Sequence, residues 1–480
     1  MKRFRPELLC LALFAGMAVP GYSQQNFIPP SPEVAAQIRN INIPVSHYTG
    51  TANISVPLYT IQTRDFQIPV QLDYQASGIK VQDCATWVGL GWRLSVPGSI
   101  TRVVRSGYDE YGFGAGHGAL VRDGEWNEAL FDAKIDNCDS EADLFYFDIP
   151  GKSGLMVCSP EKKFYTVPYQ NLKIDYNSSP TAPFYQFVLT DEQGNRYVFD
   201  MTEFTYLDTY TSMVTAWSLS QIVSPQGDWI KFDYISGLDL KYSYMAYNRC
   251  ATYEVTLSPF SRILKEEDNV SFSQDISISP RYLRSIQWPS GKLEIRTRRL
   301  TEIKLYAEPD RYVKSFKLTY NTFLNSALQL WKVEETNEEQ GASELICHFN
   351  YNTEQNLPYR NSLDMDHWGY YNGPNTGNGK MFPAHTVRGH AIEGADRSPR
   401  WPYMTANMLT SITYKGGGKK EFEYEQNQLP SGKIVGGVRI KKIKEYASES
   451  SVPSVIRYEY LEGEVYDSVP YYTSVDTESP

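Results

Sequence analysis

The sequence predicts an all-β protein of many short antiparallel strands and hairpins. Three observations carry that prediction. Apolar residues recur with period two rather than 3.6 in almost every patterned segment. Gly, Pro, Asn and Asp bound those segments and supply turn geometry. Aromatic residues make up 14% of the 480-residue chain, and 36 residues are Tyr. The Tyr ring packs on a pleated surface while its hydroxyl reaches water. Helical spacing is confined to Glu33–Ile38 and parts of 324–333. The expected arrangement is hairpins stacked in extended, curved sheets, with tandem β-sandwich domains as the alternative.

The first segment is a leader. Lys2, Arg3 and Arg5 precede an apolar run from Leu8 to Val19, broken by Pro20, and small residues Gly21 and Ser23 follow. This tripartite pattern predicts a secretory signal peptide over 1–23, cleaved between Ser23 and Gln24. The run is too short to span a bilayer, which needs about twenty apolar residues. Cys10 lacks the small residues before it that a lipid attachment site requires, and no later apolar run is long enough to cross a membrane. The expected location is therefore the periplasm, the cell surface or the extracellular space.

Removal of Lys2, Arg3, Arg5 and Glu7 from 46 basic and 56 acidic residues leaves 43 and 55, a net charge near −12. That acidity argues against a nucleic-acid partner, which needs clustered Lys and Arg. Five cysteines remain: Cys84, Cys138, Cys158, Cys250 and Cys347. An odd count leaves at least one unpaired or pairing between chains. A hairpin could bridge Cys138 and Cys158, and buried free thiols are the equal alternative. No Cys-x-x-Cys occurs, which argues against a redox or zinc centre.

Strand alternation then follows in order: Asn53–Ile61, Gln67–Tyr74, Phe145–Ile149, Tyr185–Leu189 and Lys314–Tyr320. Loops are expected at 106–128, rich in Gly, and at 176–183, 265–280 and 371–400. The expected segments are an N-terminal β region over 24–105, a β-hairpin domain over 106–235, a β domain over 236–430 carrying the long loop 371–400, and C-terminal strands over 431–480. A repeat supports the hairpins. Leu219-x-x-Ile222-x-x-Pro225-x-Gly227 recurs as Leu283-x-x-Ile286-x-x-Pro289-x-Gly291, and again from Leu409-x-x-Ile412 with Gly417 in the Gly position. Alternating arms follow each copy, reading as strand, tight turn, strand. The copies are unevenly spaced, which excludes a regular solenoid or propeller.

Chemistry is sparse. Pro150-Gly-Lys-Ser-Gly154 lacks the upstream glycine and following helix of a phosphate loop, so it reads as a turn. The histidines are His47, His117, His348, His367, His385 and His390, with no His-Glu-x-x-His among them, and no Gly-x-Ser-x-Gly occurs. Asp364-x-Asp366-His367 is the nearest approach to a metal cluster. Residues i and i+2 of a strand share a face, but the oxygen donors are too few for calcium. The alternative is an ordinary acidic turn. No spacing singles out a glycosidase carboxylate pair. Trp87 and Trp92 flank Gly89-Leu-Gly91 in an apolar setting that predicts core packing rather than a sugar platform.

Four blocks carry a resemblance. They are Val45-Ser-His-Tyr-Thr-Gly-Thr-Ala-Asn-Ile-Ser-Val-Pro-Leu-Tyr59; Ala76-Ser-Gly-Ile-Lys-Val-Gln-Asp-Cys-Ala-Thr-Trp-Val-Gly-Leu-Gly-Trp-Arg-Leu94, running on to Gly98–Arg102; Asp366-His-Trp-Gly-Tyr-Tyr-Asn-Gly373; and Gly436-Gly-Val-Arg-Ile-Lys-Lys-Ile443. Together, over most of 27–460, they resemble the N-terminal, pre-repeat region of exported bacterial RHS/YD-repeat proteins. Val88–Trp92 also looks like the start of SpvB/TcdB-type toxin components. The resemblance implies a wound β-shell from a Gram-negative bacterium, with the N-terminal part sealing or anchoring it. Tandem Tyr-Asp-x-x-Gly-Arg repeats are missing, and the chain stops about where they would begin, so a short family member or a truncated reading frame is expected. The resulting expectation is a non-catalytic, exported β-scaffold without cofactor, working with a protein partner or a larger RHS/YD-repeat shell. A glycan-binding adhesin is the alternative, and a secreted glycosidase a further one.

Overall fold

The structure is a computed structural model. It describes residues 50–51, 53–105, 109, 142–159, 161–179, 182–206, 212–237, 240–256, 261–296, 299–308, 310–337, 342–387, 390–429, 431–448 and 451–460. The expected leader with Ser23 and Gln24, the Glu33–Ile38 segment, His47, His117 and Cys138 lie outside the described residues, as does the expected 106–128 loop apart from Asp109.

In chain order the strands are β1 (Asn53–Gln62), β2 (Gln67–Gln75), β3 (Trp92–Ser95), β4 (Ser99–Val103), β5 (Leu144–Ile149), β6 (Lys152–Cys158), β7 (Phe164–Val167), β8 (Lys173–Ser179) and β9 (Ala182–Thr190). Then come β10 (Arg196–Tyr206), β11 (Ser212–Val223), β12 (Trp229–Ser236), β13 (Leu240–Thr256), β14 (Ser261–Ser279), β15 (Arg281–Trp288), β16 (Gly291–Arg296), β17 (Glu302–Ala307) and β18 (Arg311–Thr322). The last are β19 (Leu328–Asn337), β20 (Ala342–Tyr351), β21 (His385–Val387), β22 (His390–Ile392), β23 (Leu409–Tyr414), β24 (Lys419–Gln428), β25 (Ile434–Tyr446) and β26 (Ser454–Arg457). Two short 3-10 turns, Tyr403–Thr405 and Lys415–Gly417, complete the set. The protein is all-β.

The chain divides into two compact units. In the smaller, which holds described residues from 102–145 and 155–170, β6 pairs antiparallel with β7 from Leu155↔Val167 to Cys158↔Phe164. Its centre is a buried ion pair. Arg102 Nε donates to Asp143 Oδ2 at 2.7 Å, and the Arg105 N–H donates to Asp143 Oδ1 at 2.7 Å. The Arg102 guanidinium lies 5.3 Å from the Phe145 ring centre, and Phe164 meets Phe145 edge to face at 5.1 Å. Burial pushes the Asp143 carboxyl upward in pKa against the opposing pull of Arg102.

In the larger unit the register pairs form one long antiparallel ladder. It runs β8–β9–β10–β11–β12–β15–β16–β17–β18–β19–β20–β23–β24–β25–β26. β14 also pairs with β10 and β13, and β4 with β11. Period two assigns the faces. Ile222, Ile230, Ile286, Leu293, Ile303, Phe316, Leu330, Val333, Phe349 and Ile412 are buried on one side. The opposite side carries cross-strand charge pairs, such as Lys442–Glu423 and Arg439–Glu425.

The three copies of the Leu-x-x-Ile motif are the hairpins β11–β12, β15–β16 and β23–β24, and Leu219, Ile222, Ile286, Leu409 and Ile412 are buried with little or no exposure. A wider regularity overlies them. The hydroxyls of Tyr234, Tyr320, Tyr351, Tyr424 and Tyr460 donate to the carbonyls of Leu219, Leu300, Leu330, Leu409 and Ile440 at 2.6–2.9 Å. The first four each stand at a register shift: Asp233/Tyr234, Thr319/Tyr320, Asn350/Tyr351 and Glu423/Tyr424. A β-bulge re-aims a side chain, and a buried phenol must find an acceptor. Burial raises the pKa of all five hydroxyls.

β1, β2 and β3 form a separate three-stranded sheet whose inner face, including Ile68, Val70, Leu72 and Tyr74, is buried. It docks on the apolar side of the ladder through the 76–98 segment. The Leu90 N–H donates to Leu328 O at 2.8 Å, and the Leu300 N–H to Trp87 O at 3.1 Å. Gly98 sits at φ 131°, where an added Cβ would lie 2.4 Å from Leu219 Cβ. Only glycine permits that approach.

Four expectations need correction. The 265–280 stretch is not a loop but most of β14, paired with β13 from Leu240↔Ile278 to Thr256↔Ser261. Its run Lys265–Asn269 has turn-like composition, but ladder hydrogen bonds are made by backbone groups whatever the side chain. The 176–183 stretch is largely the ends of β8 and β9. Part of 324–333 is β19 rather than helix, because pairing with β18 fixes its backbone. The 371–400 loop contains the hairpin β21–β22, and the irregular stretch begins earlier, at Asn352.

Candidate functional site

The four sequence blocks meet in the larger unit. Block one arrives at Gly50, at φ 68°, whose carbonyl accepts the Ile440 N–H at 2.8 Å. A Cβ there would lie 2.6 Å from Arg439 Cβ. In block two, the carbonyl of Ser77 accepts the Val438 N–H at 3.1 Å, and the Val81 N–H donates to Gly369 O at 2.9 Å. Gly78, at φ 108°, lies under the Tyr370 ring, with a Cβ position 2.7 Å from Cε1. In block four, Gly436 backs onto Trp368, and Gly437 faces Ser77 O and the Tyr370 hydroxyl. Met404, Met408 and Val438 form the core beneath, with Tyr370, Tyr424 and Ile434 against it. Residues far apart in sequence are thus joined through backbone contacts that side chains would block.

Block three is organised by Asp366, which is almost wholly buried. Its Oδ1 accepts the N–H groups of Trp368 at 2.9 Å and Tyr370 at 3.0 Å, while Oδ2 has no hydrogen-bond partner. Burial pushes the carboxyl up to about 6, and the two N–H bonds and the charges of Arg397 and Lys80 pull the other way. Arg397 is buried too and donates through Nη1 to Met365 O at 2.7 Å and Leu363 O at 3.3 Å. Asp364 serves a different purpose, accepting the Gly377 N–H at 2.9 Å. The His367 ring meets Trp368 edge to face, and burial with nearby Arg397 lowers its pKa. Asp364 and Asp366 therefore brace separate parts of the loop, and His367 packs on Trp368 beside Asp366. Among the described residues no group of three His, Cys, Asp or Glu side chains is arranged to hold a metal ion.

The other candidates are dispersed. Pro150–Gly151 is the turn between β5 and β6, with Gly151 at φ 78°. Cys158 and Cys347 are buried and Cys84 is half-buried; the Cys250 side chain lies outside the described residues. His348 on β20 packs against Trp331, and burial lowers its pKa. The side chains of His385 and His390 lie outside the described residues. Trp92 is fully buried, 4.6 Å from Phe349 and 5.1 Å from Tyr74, as core packing requires, and Trp87 is half-buried against Tyr282 at 5.4 Å.

Sequence reasoning missed Tyr370, Arg397 and the bulged tyrosines. Arg397 left no signal, since a lone Arg in a Gly-rich loop reads as solvated. The tyrosines did leave one: Phe232-x-Tyr234, Leu318-x-Tyr320, Phe349-x-Tyr351 and Phe422-x-Tyr424 recur as apolar-x-Tyr within strands.

No family model matches the sequence, and no curated protein matches it. Several solved structures are similar to it. The TcdB2-TccC3 crystal structure matches with a TM-score of 0.37 and 12% identity over 88% of this chain and 20% of that one. A Photorhabdus luminescens Tc holotoxin pore matches at 0.39 and 13%, over 85% and 19%. The N-terminal domain of effector protein SpvB from Salmonella typhimurium matches at 0.28 and 11%, over 85% and 99%. The chain thus spans about a fifth of the length of the first two. No helix among the described residues is long and apolar enough to cross a membrane.

Proposed function

We propose that this protein is an exported, non-catalytic β-scaffold that acts as an interaction module in an RHS/YD-repeat-type assembly at the bacterial cell surface. The observation that carries the reading is the convergence of all four blocks on one junction. Their glycines and aromatic rings are committed to joining backbone to backbone, and Asp366 to holding its own loop. The blocks that carry the family resemblance therefore serve assembly of the scaffold. The leader supports export, and the acidic surface favours a protein partner over nucleic acid. Disuccinimidyl cross-linking of whole Gram-negative cells expressing the full chain, followed by fractionation, tests this. The expected result is a protease-resistant exported protein recovered in a cross-linked complex with another protein. Recovery only as an uncomplexed cytoplasmic chain would overturn it.

A second reading, a glycan-binding adhesin, rests on the exposed rings of Tyr169, Tyr359 and Trp401. It requires sugar-array binding that is abolished by Trp401→Ala.

A further inference from the structure

The chain contains two Asn-Gly sequences, Asn372-Gly373 and Asn378-Gly379, six residues apart in the same loop. Asn-Gly is the dipeptide most prone to spontaneous deamidation, because glycine offers the least obstruction to attack by its own nitrogen. The sequence makes the two equivalent, and the structure makes them opposites.

Asn372 is fully buried. Its Nδ2 donates to Asp396 O at 2.8 Å and Ser398 O at 3.1 Å, and its Oδ1 accepts the Thr376 hydroxyl. Every polar atom of that amide is held, and the Tyr403 ring covers Gly373. Asn378 is exposed, in a turn where it has φ 45° and Gly379 φ 67°. Among the described residues neither the Asn378 amide nor the Gly379 N–H has a hydrogen-bond partner. No atom lies within 4 Å of the position a Gly379 Cβ would take.

We propose that Asn378 is a self-modification site, converting through a succinimide to aspartate and isoaspartate, and that the same reaction is suppressed at Asn372 by its hydrogen bonds. The Gly379 backbone nitrogen bonds to Asn378 Cγ. The Cγ–Nδ2 bond breaks, the glycine proton passes through solvent base to the departing nitrogen, and ammonia leaves. Water then adds to either ring carbonyl and opens the ring, so no oxidant or reductant is involved. The product carries a new negative charge beside Lys380, and the isoaspartate form adds a methylene to the main chain.

The test incubates the folded full-length protein at mildly alkaline pH and follows both sites by peptide mass mapping. Isoaspartate is identified by fragmentation and by labelling with a protein isoaspartate methyltransferase, and acidic variants are followed by anion exchange. A parallel sample is kept unfolded in urea. The expected result is conversion at 378 at least about tenfold faster than at 372 in the folded protein, since a held site reacts only from rare local openings. In urea the two rates converge. Gly379→Ala slows the 378 reaction, and Thr376→Ala accelerates the 372 reaction. Equal rates at the two sites in the folded protein would overturn the proposal. So would a folded protein that reacts at neither site while both react in urea.

Discussion

The indole N–H of Trp92 donates to the hydroxyl of Tyr351 at 2.8 Å, and that hydroxyl donates in turn to the carbonyl of Leu330 at 2.6 Å. This relay, buried throughout, links the three-stranded sheet to two strands of the long ladder. Tyr351→Phe would leave a buried N–H and a carbonyl without partners, a loss of about 1–3 kcal/mol. Trp92→Ala opens a cavity as well and costs about 3–5 kcal/mol. Urea unfolding of both variants and of the double variant should give less than the sum, with the denaturant slope unchanged.

Gly98 and Gly227 both hold positive φ, 131° and 83°, but only Gly98 is crowded. Gly227→Ala therefore bears the backbone penalty alone, about 1–2 kcal/mol. Gly98→Ala adds overlap with Leu219, a further penalty of about 1–3 kcal/mol. Thermal unfolding of the pair should show the Gly98 variant losing clearly more. Equal losses would mean that the close approach is absent.

Asp366 makes stability depend on pH in an unusual direction. Its folded pKa, about 6, lies above the ordinary carboxylate value, so the native state binds its proton more tightly than the unfolded chain does. Stability from this residue is full below about pH 4 and is lost as pH rises through 6, by roughly 3 kcal/mol. Asp366→Asn keeps the acceptor for Trp368 and Tyr370 and removes the titration. Relative to that variant, the parent protein should lose stability between pH 4 and 6.5 in urea titrations. A parent-minus-variant difference flat across that window would show that Asp366 is not buried as a titrating acid.

Cys347 is fully buried between β19 and β23, and burial pushes its thiol up to about 12. The nucleophile is the thiolate, so iodoacetamide at pH 8 should leave Cys347 unmodified in the folded protein and alkylate it readily in urea. Mass mapping reads both states.

The strands were legible because their signal is local. Gln67–Tyr74 alternates apolar and polar residues and forms β2 with the same alternation in burial. The Leu-x-x-Ile hairpins were legible for the same reason. β14 was not, because Lys265–Asn269 carries no apolar pattern and its strand is held by pairing with β13. The Asp364–His367 cluster was visible as a composition but not as geometry. Two carboxylates two residues apart face one cation only on a straight strand, and here they lie in a loop.

By itself, the sequence determined the all-β class, the hairpin motifs and the burial of Trp92, because period two, turn residues and apolar context act over a few residues. Only the tertiary structure decided that Gly50, Gly78, Gly98 and Gly437 are sites of close backbone approach, that one acid of a pair is buried with an open oxygen, and that one of two Asn-Gly amides is held. Each depends on a partner far away along the chain, and what lies opposite a residue across a sheet or loop leaves no trace in its own neighbourhood of sequence.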